Sequence, residues 1–268
     1  MADALPLRSL LFVPASRADR FDKAVGAGAS QVIIDLEDAV APDDKDAARE
    51  ALARWLSPDR GVVVRINGVD TPWFDRDLEV CRLPGIRAVM VPKAERVEQL
   101  AGVCAAGAAR VLPLVETAAG FAALRDIAAA PGVTALVFGS IDFQLDVGMR
   151  DALPEELLPF RVQLVMASRL AGIRPPVDGV STAIDDAAGV RDDALRARRL
   201  GFGGKLCIHP RQVAVVNQAF TPSAAEREWA QRVVAVAASA KGAAVTVDGR
   251  MVDKPVLARA QAILREAE

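Results

Sequence analysis

The stretch VIIDLEDAV, residues 32–40, begins as a buried strand and ends in acid. Val32, Ile33 and Ile34 run without a polar residue between them, and Asp35, Glu37 and Asp38 follow with only Leu36 interposed. A strand that alternates apolar and polar residues has one wet face. One that does not alternate is covered on both faces, the condition of a parallel sheet wrapped by helices. The acids then mark where this strand leaves the core.

The same unit recurs along the chain. Strand candidates are SLLFVPA (9–15), QVIIDL (31–36), GVVVRI (61–66), AVMVPK (88–93), RVLPLVE (110–116), ALVFGSID (135–142), PPVDGVS (175–181) and KLCIHP (205–210). Segments with apolar residues at helical spacing follow them: RFDKAVGAGA, DAAREALARWL, RVEQLAGVCAA, TAAGFAALRDIAAA, FRVQLVMASRLAGI, DDALRARRLGF and RQVAVVNQAF. The interval 72–82 is the least regular. Eight strands, each followed by a helix, predict an α/β fold of the (β/α)8 TIM-barrel type. A doubly wound open sheet shares the alternation, but eight repeats within the first 220 residues favour a closed barrel. The Gly-rich stretches AVGAGAS (24–30) and GFGGK (201–205) each lead into a strand. A nucleotide loop instead follows a strand and opens a helix, so both read as helix stops and turns.

After residue 220 the rhythm changes. TPSAAEREWAQRVVAVAASA carries a capping signal and a regular apolar face, AVTVDGRMVDKP holds a Val-Asp-Gly-Arg turn, and VLARAQAILREAE is a final helix. The expected organisation is a barrel over 1–220 and a C-terminal extension over 221–268.

Composition narrows the function classes. The formal net charge of −2 comes without a block of Lys or Arg, so there is no electrostatic footprint for nucleic acid or an anionic membrane. Cys81, Cys104 and Cys207 lie far apart with no C-x-x-C, which suits buried apolar residues in a reducing compartment rather than disulfides or zinc. Met1 to Leu10 contains Asp3 and no long apolar run, so no signal peptide is expected. No stretch approaches the ~18 apolar residues of a membrane span. A cytoplasmic protein is expected.

Polar residues fall at the carboxyl ends of most strands, where barrel enzymes carry their chemistry. Asp35, Glu37 and Asp38 follow strand two, Arg65 strand three, Lys93 strand four, Glu116 strand five, Asp142 strand six, Asp178 strand seven and His209 strand eight. Glu116 and Asp142 stand on neighbouring strands; two such carboxylates either cap the following helices or hold Mg²⁺, which prefers oxygen ligands and keeps several waters. Arg65, ending an apolar strand, requires either an ion pair with the 35–38 acids or an anionic substrate. His209, the only His, is either a hydrogen-bonded rim residue or an acid/base.

The ordered motifs RSLLFVPA, VIIDLEDAV, VVVRIN, VPKAE, PLVETAAG, VFGSIDF, GFGGKLCIHPRQ and GRMVDKP resemble those of the citrate lyase beta-subunit-like acyl-CoA lyases. That group lies within the HpcH/HpaI aldolase superfamily, beside malyl-CoA and citramalyl-CoA lyases. The resemblance runs from Arg8 to the last helix. It implies a TIM barrel with a C-terminal helical lid, in homotrimers or hexamers whose lid acts in trans. The implied reaction is Mg²⁺-dependent retro-Claisen cleavage of a 3-hydroxyacyl-CoA (citramalyl-CoA, malyl-CoA or citryl-CoA) to acetyl-CoA and a 2-keto acid. By the same resemblance, Glu116 and Asp142 hold the metal, and Arg65 stabilises charge on the substrate carbonyl oxygen. Asp253 of MVDKP is the lid's acid/base, and Phe12, Lys23, Ile208 and His209 contact the acyl-CoA. Glu37 and Asp38 then hold metal-bound waters and orient Arg65.

Two positions depart from the family pattern. Phe12-Val13-Pro14-Ala15 replaces the usual Tyr-Val-Pro-Gly, and Asp19 stands where a Lys is common, leaving Arg17, Arg20 and Lys23 for the CoA phosphates. Two other reactions fit the same motifs: hydrolysis of malyl-CoA by a thioesterase, and action on an acyl-carrier-protein thioester as a citrate lyase beta subunit.

Overall fold

The strands β1 (Ser9–Pro14), β2 (Gln31–Asp35), β3 (Val62–Arg65), β4 (Ile86–Val91), β5 (Val111–Val115), β6 (Val137–Phe138), β7 (Val177–Asp178) and β8 (Gly204–Cys207) pair in order, all parallel. β8 returns to β1 through Leu10↔Leu206 and Leu11↔Cys207, closing the barrel. The computed structural model describes residues 5–239 and 245–267. Backbone contacts divide the chain into two units, Met1–Asn217 and Gln218–Glu268.

Closure explains the missing alternation. One face of each strand fills the interior: Leu10, Ile33, Val63, Met90, Leu112, Leu114, Val137, Val177 and Leu206 form a single cluster, to which Leu5 and Leu7 also belong. The other face lies under the helices, so Leu11, Ile34, Val64, Val91 and Val115 are equally buried. The helices are α1 (Phe21–Val25), α2 (Lys45–Trp55), α3 (Phe74–Val80), α4 (Val97–Ala105), α5 (Ala118–Ala122), α6 (Leu124–Ala129), α7 (Ser140–Asp146), α8 (Leu158–Ala171), α9 (Ala187–Leu200) and α10 (Pro210–Phe220). Gly201 ends α9 in the left-handed conformation at φ 103°, so the glycines of GFGGK do form a helix stop.

Three local expectations are corrected. The sixth strand is two residues long, because Gly139 turns the chain out and Ser140–Asp146 is helical; Asp142 therefore stands in the first turn of α7 rather than at a strand end. The segment 117–130 is two short helices broken at Ala123. Asp178 does not reach the barrel mouth. It follows inward-facing Val177 by one residue, and strand alternation therefore aims it at the helical layer. There Arg161 of α8 donates to it at 2.9 Å, and Lys205 Nζ lies 3.9 Å away while donating to the Gly179 carbonyl at 2.6 Å. Burial lowers the Lys205 pKa, against the opposing charges of Asp178 and Asp193.

The second unit has its own small core. Helices α11 (Ala224–Ser239) and α12 (Lys254–Ala267) pack around Ala230, Val233, Ala260 and Ile263, with Val247 and Val252 from the hairpin β9 (Val245–Val247) and β10 (Arg250–Val252). Ser223 and Glu226 form a capping box at the head of α11: Glu226 N–H donates to Ser223 Oγ at 3.2 Å, and Ser223 N–H to Glu226 Oε2 at 2.8 Å. Among the described residues no helix is long and apolar enough to cross a membrane.

Breaking a buried pair strands a charge. Arg161→Ala, which leaves Asp178 without its closest cation, is expected to destabilise the barrel unit by about 3–5 kcal/mol in urea unfolding. An unchanged midpoint would contradict this reading of the α8 contact.

Candidate active site

Strand alternation builds the mouth of the barrel. Two residues beyond interior Ile33, Val63 and Leu10 come Asp35, Arg65 and Phe12 on the inward face, and Glu116 and Ile208 directly follow β5 and β8. The register pairs Asp35 directly with Arg65.

Arg65 is forked onto Asp35, Nε to Oδ1 and Nη2 to Oδ2, both at 2.7 Å. Asp35 also accepts from the backbone N–H groups of Glu37 (2.9 Å) and Ala39 (3.3 Å), which fold the acidic turn back over the strand end. Nη1 of Arg65 lies 2.9 Å from Glu37 Oε2, and the guanidinium sits 4.9 Å from the centre of the Phe12 ring. Burial disfavours the Arg65 charge, but the Asp35 hydrogen bonds and the charges of Asp35, Glu37 and Glu116 outweigh it, and its pKa is raised. A guanidinium has five N–H donors; these three contacts leave two free to meet a ligand.

The two glutamates are under electrostatic stress. Glu116 is 2% exposed and accepts from the Lys93 N–H at 2.8 Å through Oε1. Desolvation, then the charge of Glu37, push its pKa up to about 8, with Asp142 adding to the rise. Glu37 is 6% exposed, and burial raises its pKa to about 7 despite Arg65. The Arg65 approach to Glu37 is an ion pair without hydrogen-bond geometry, so Oε2 is buried with no hydrogen-bond partner. A Cβ on Gly139 would lie 2.5 Å from Glu116 Oε2, so this glycine gives the carboxylate its space.

Asp38 and Asp142 are exposed, and the charge of each reaches a neighbour, Glu37 and Glu116 respectively. Lys23 is exposed on α1. Ile208 and His209 open the turn into α10, where their N–H groups donate to Gln212 Oε1 at 2.9 and 3.3 Å, and His209 Nδ1 accepts from the Arg211 N–H at 3.2 Å. Asp253 lies in the second unit, exposed, and caps α12 through Oδ1, which accepts from the Val256 N–H at 3.0 Å. Arg17 is forked onto Asp19 at 2.9 and 2.8 Å, so the acid that departs from the family pattern also engages a nearby cation.

Sequence reasoning missed the support beneath this cluster. Lys45 Nζ donates to the carbonyls of Leu36 and Glu37 and to Asn67 Oδ1, each at 2.7 Å. Asn67 donates to Leu36 O at 3.0 Å and to Asp77 Oδ2 at 2.6 Å. The available signal was a Lys opening α2 and an Asn directly after VVVRI, two polar residues on otherwise apolar approaches.

The residues present fit a divalent cation. Asp35, Glu37 and Glu116 outnumber the buried cations beside them, Arg65 and Lys45, by one negative charge when all are ionised, which is costly without a counter-ion. Among the described residues no three His, Cys, Asp or Glu side chains form a ready-made cage. Glu116 with Asp142 offers two carboxylates, the donor set of an ion that keeps several waters.

The family model described as HpcH/HpaI aldolase/citrate lyase matches residues 8–210. The chain belongs to the HpcH/HpaI aldolase/citrate lyase family. Within it, the chain is 39% identical to a citrate lyase subunit beta-like protein of Deinococcus radiodurans, over 96% of each. It is 37% identical to a (3S)-malyl-CoA thioesterase of Cereibacter sphaeroides, covering 99% of this chain and 96% of that one. The crystal structure of the family member CitE from Mycobacterium tuberculosis, in complex with magnesium, acetoacetate and coenzyme A, superposes with a TM-score of 0.88 at 38% identity, over 98% of both chains.

The raised carboxylates predict a pH dependence for the metal-free protein. A carboxyl held above its ordinary value of 4.5 favours folding fully below that value, and the contribution is lost as pH rises through the folded pKa values of about 7 and 8. In EDTA, the urea midpoint is expected to fall between about pH 5 and 8, and Glu116→Gln to remove the upper part of that fall. A midpoint flat across that range would contradict it.

Proposed function

We propose that this protein is a Mg²⁺-dependent acyl-CoA lyase that cleaves a 3-hydroxyacyl-CoA to acetyl-CoA and a 2-keto acid. The substrate class is citramalyl-CoA, malyl-CoA or citryl-CoA. The observation that carries the reading is the buried cluster of Arg65 and Glu116 with the unbonded Glu37 oxygen, set in a family whose CitE member has been crystallised with magnesium, acetoacetate and coenzyme A. Bound between Glu116 and Asp142, Mg²⁺ would supply Lewis acidity to the oxygens of the keto-acid portion.

The chain's own residues divide the remaining work. Arg65, held rigid by Asp35, directs its free N–H groups at the oxygen that gains negative charge as the carbon–carbon bond breaks; a preorganised donor of this kind contributes typically about 2.7–4 kcal/mol. Glu37 and Asp38 orient the waters around the metal site. Phe12, Lys23, Ile208 and His209 contact the acyl-CoA. As the 3-hydroxyl gives up its proton to solvent and the carbon–carbon bond breaks, Asp253, from the helical unit acting as a lid on a neighbouring copy, gives a proton to the acetyl carbon, and in condensation it takes that proton back.

That arrangement needs an assembly, which we place as a homotrimer or hexamer. It is supported by Leu158, Val162, Met166 and Leu170, exposed apolar residues at four-residue intervals along α8. Light scattering on the purified protein should give three or six copies, and a monomer at all concentrations would remove the trans-acting lid. The thioesterase reading stays as the alternative because a relative of that name is 37% identical over nearly the full length.

Products decide between them. Incubation with each of the three CoA esters, with Mg²⁺ or EDTA, is expected to yield acetyl-CoA and one keto acid only with Mg²⁺. Free CoA in their place would establish the thioesterase, and silence on all three would transfer the weight to an acyl-carrier-protein thioester. Asp253→Ala is expected to lower kcat by about 10²–10⁴-fold with an intact fold. An unchanged rate would discard its acid/base role.

A further inference from the structure

We infer that Lys45, buried at the start of α2, is a positioning residue that fixes the Glu37 carboxylate beside the metal site. The inference rests on the reading of Glu116 and Asp142 as metal ligands. Lys45 is 5% exposed, and its ammonium has three donors and no acceptor. All three donors are used at 2.7 Å, on Leu36 O, Glu37 O and Asn67 Oδ1. Two of those oxygens belong to the turn that carries Glu37, and the third to the loop that follows Arg65. One side chain therefore ties together the two loops whose charged residues meet across the mouth.

The tie is anchored from behind. Asn67 is held by Asp77, which accepts from its N–H at 2.8 Å and from its Nδ2 at 2.6 Å, and Asp77 is in turn held by Arg49 Nε at 2.9 Å. The Trp73 ring covers the ammonium at 5.1 Å. At its far end Glu37 meets Arg65 Nη1 as an ion pair at 2.9 Å without hydrogen-bond geometry, and Oε2 makes no hydrogen bond. A carboxylate with no hydrogen bond at Oε2, on a turn pinned through its backbone carbonyls, is placed by that pin together with its ion pair to Arg65. Metal-ligand waters depend on such outer partners, whose loss typically weakens metal binding by about 10–100-fold.

Calorimetric titration of the full chain with Mg²⁺, without substrate, tests this on the wild type, Lys45→Met, Glu37→Gln and the double variant. Lys45→Met is expected to weaken Mg²⁺ binding about tenfold or more. In the Glu37→Gln background the same substitution is expected to have almost no further effect, because Lys45 acts through Glu37. Wild-type affinity in Lys45→Met, or losses that simply multiply in the double variant, would overturn the inference. Should Lys45→Met fail to fold, Asn67→Ala, which removes one acceptor and keeps the ammonium on two carbonyls, carries the same comparison with a smaller loss. A wild type that binds no Mg²⁺ would instead overturn the metal-site reading, and this inference with it.

Discussion

A guanidinium at the end of one barrel strand, forked onto a carboxylate at the end of the next, organises everything else at this mouth. Asp35 and Arg65 are register partners in adjacent parallel strands, and both sit on the inward face. Neither charge would be tolerated there alone, since an unpaired buried ion costs several kcal/mol. Paired by two 2.7 Å bonds, they form a rigid platform. The turn after β2 wraps onto Asp35 by its own N–H groups, which brings Glu37 to the open side of Arg65. Glu116 then adds a third buried carboxylate, one more than Arg65 and the buried Lys45 can neutralise.

That imbalance is the link from fold to chemistry. Burial, with added repulsion from neighbouring carboxylates, raises the pKa values of Glu37 and Glu116 toward neutrality, so the metal-free site sits close to taking up protons. On the proposed reading, a dication removes the repulsion and returns both groups to their charged forms. On the same reading, the Arg65 that holds these carboxylates together also keeps N–H groups for a substrate oxygen, so stability and transition-state recognition would draw on one side chain.

The barrel was legible because its evidence is periodic. Apolar runs without alternation, repeated eight times, describe a sheet buried on both faces, and the structure closes that sheet in sequence order. Arg65 was legible for a related reason, since an apolar strand ending in a cation demands a partner, and the 35–38 acids end the preceding strand. What escaped depended on contacts that no local pattern encodes. Asp178 read as one more polar strand end, yet the parity of a two-residue strand turns it to Arg161 and Lys205 in the helical layer. Asp142 read as strand because ALVFGSID is apolar enough, while Gly139, pressed against the Glu116 carboxylate, releases the chain into a helix three residues earlier. Lys45 carries no local signal of its role, which lies in its three oxygen partners.

The central claim is that the carboxylates at the mouth hold a divalent cation within reach of Arg65. Anomalous diffraction from crystals soaked in Mn²⁺, a scatterer with the same oxygen preference as Mg²⁺, tests it directly. The account predicts one strong peak bounded by the Glu116 and Asp142 carboxylates, with a water bridging to Glu37. A peak held by other residues, or none at saturating Mn²⁺, would contradict it.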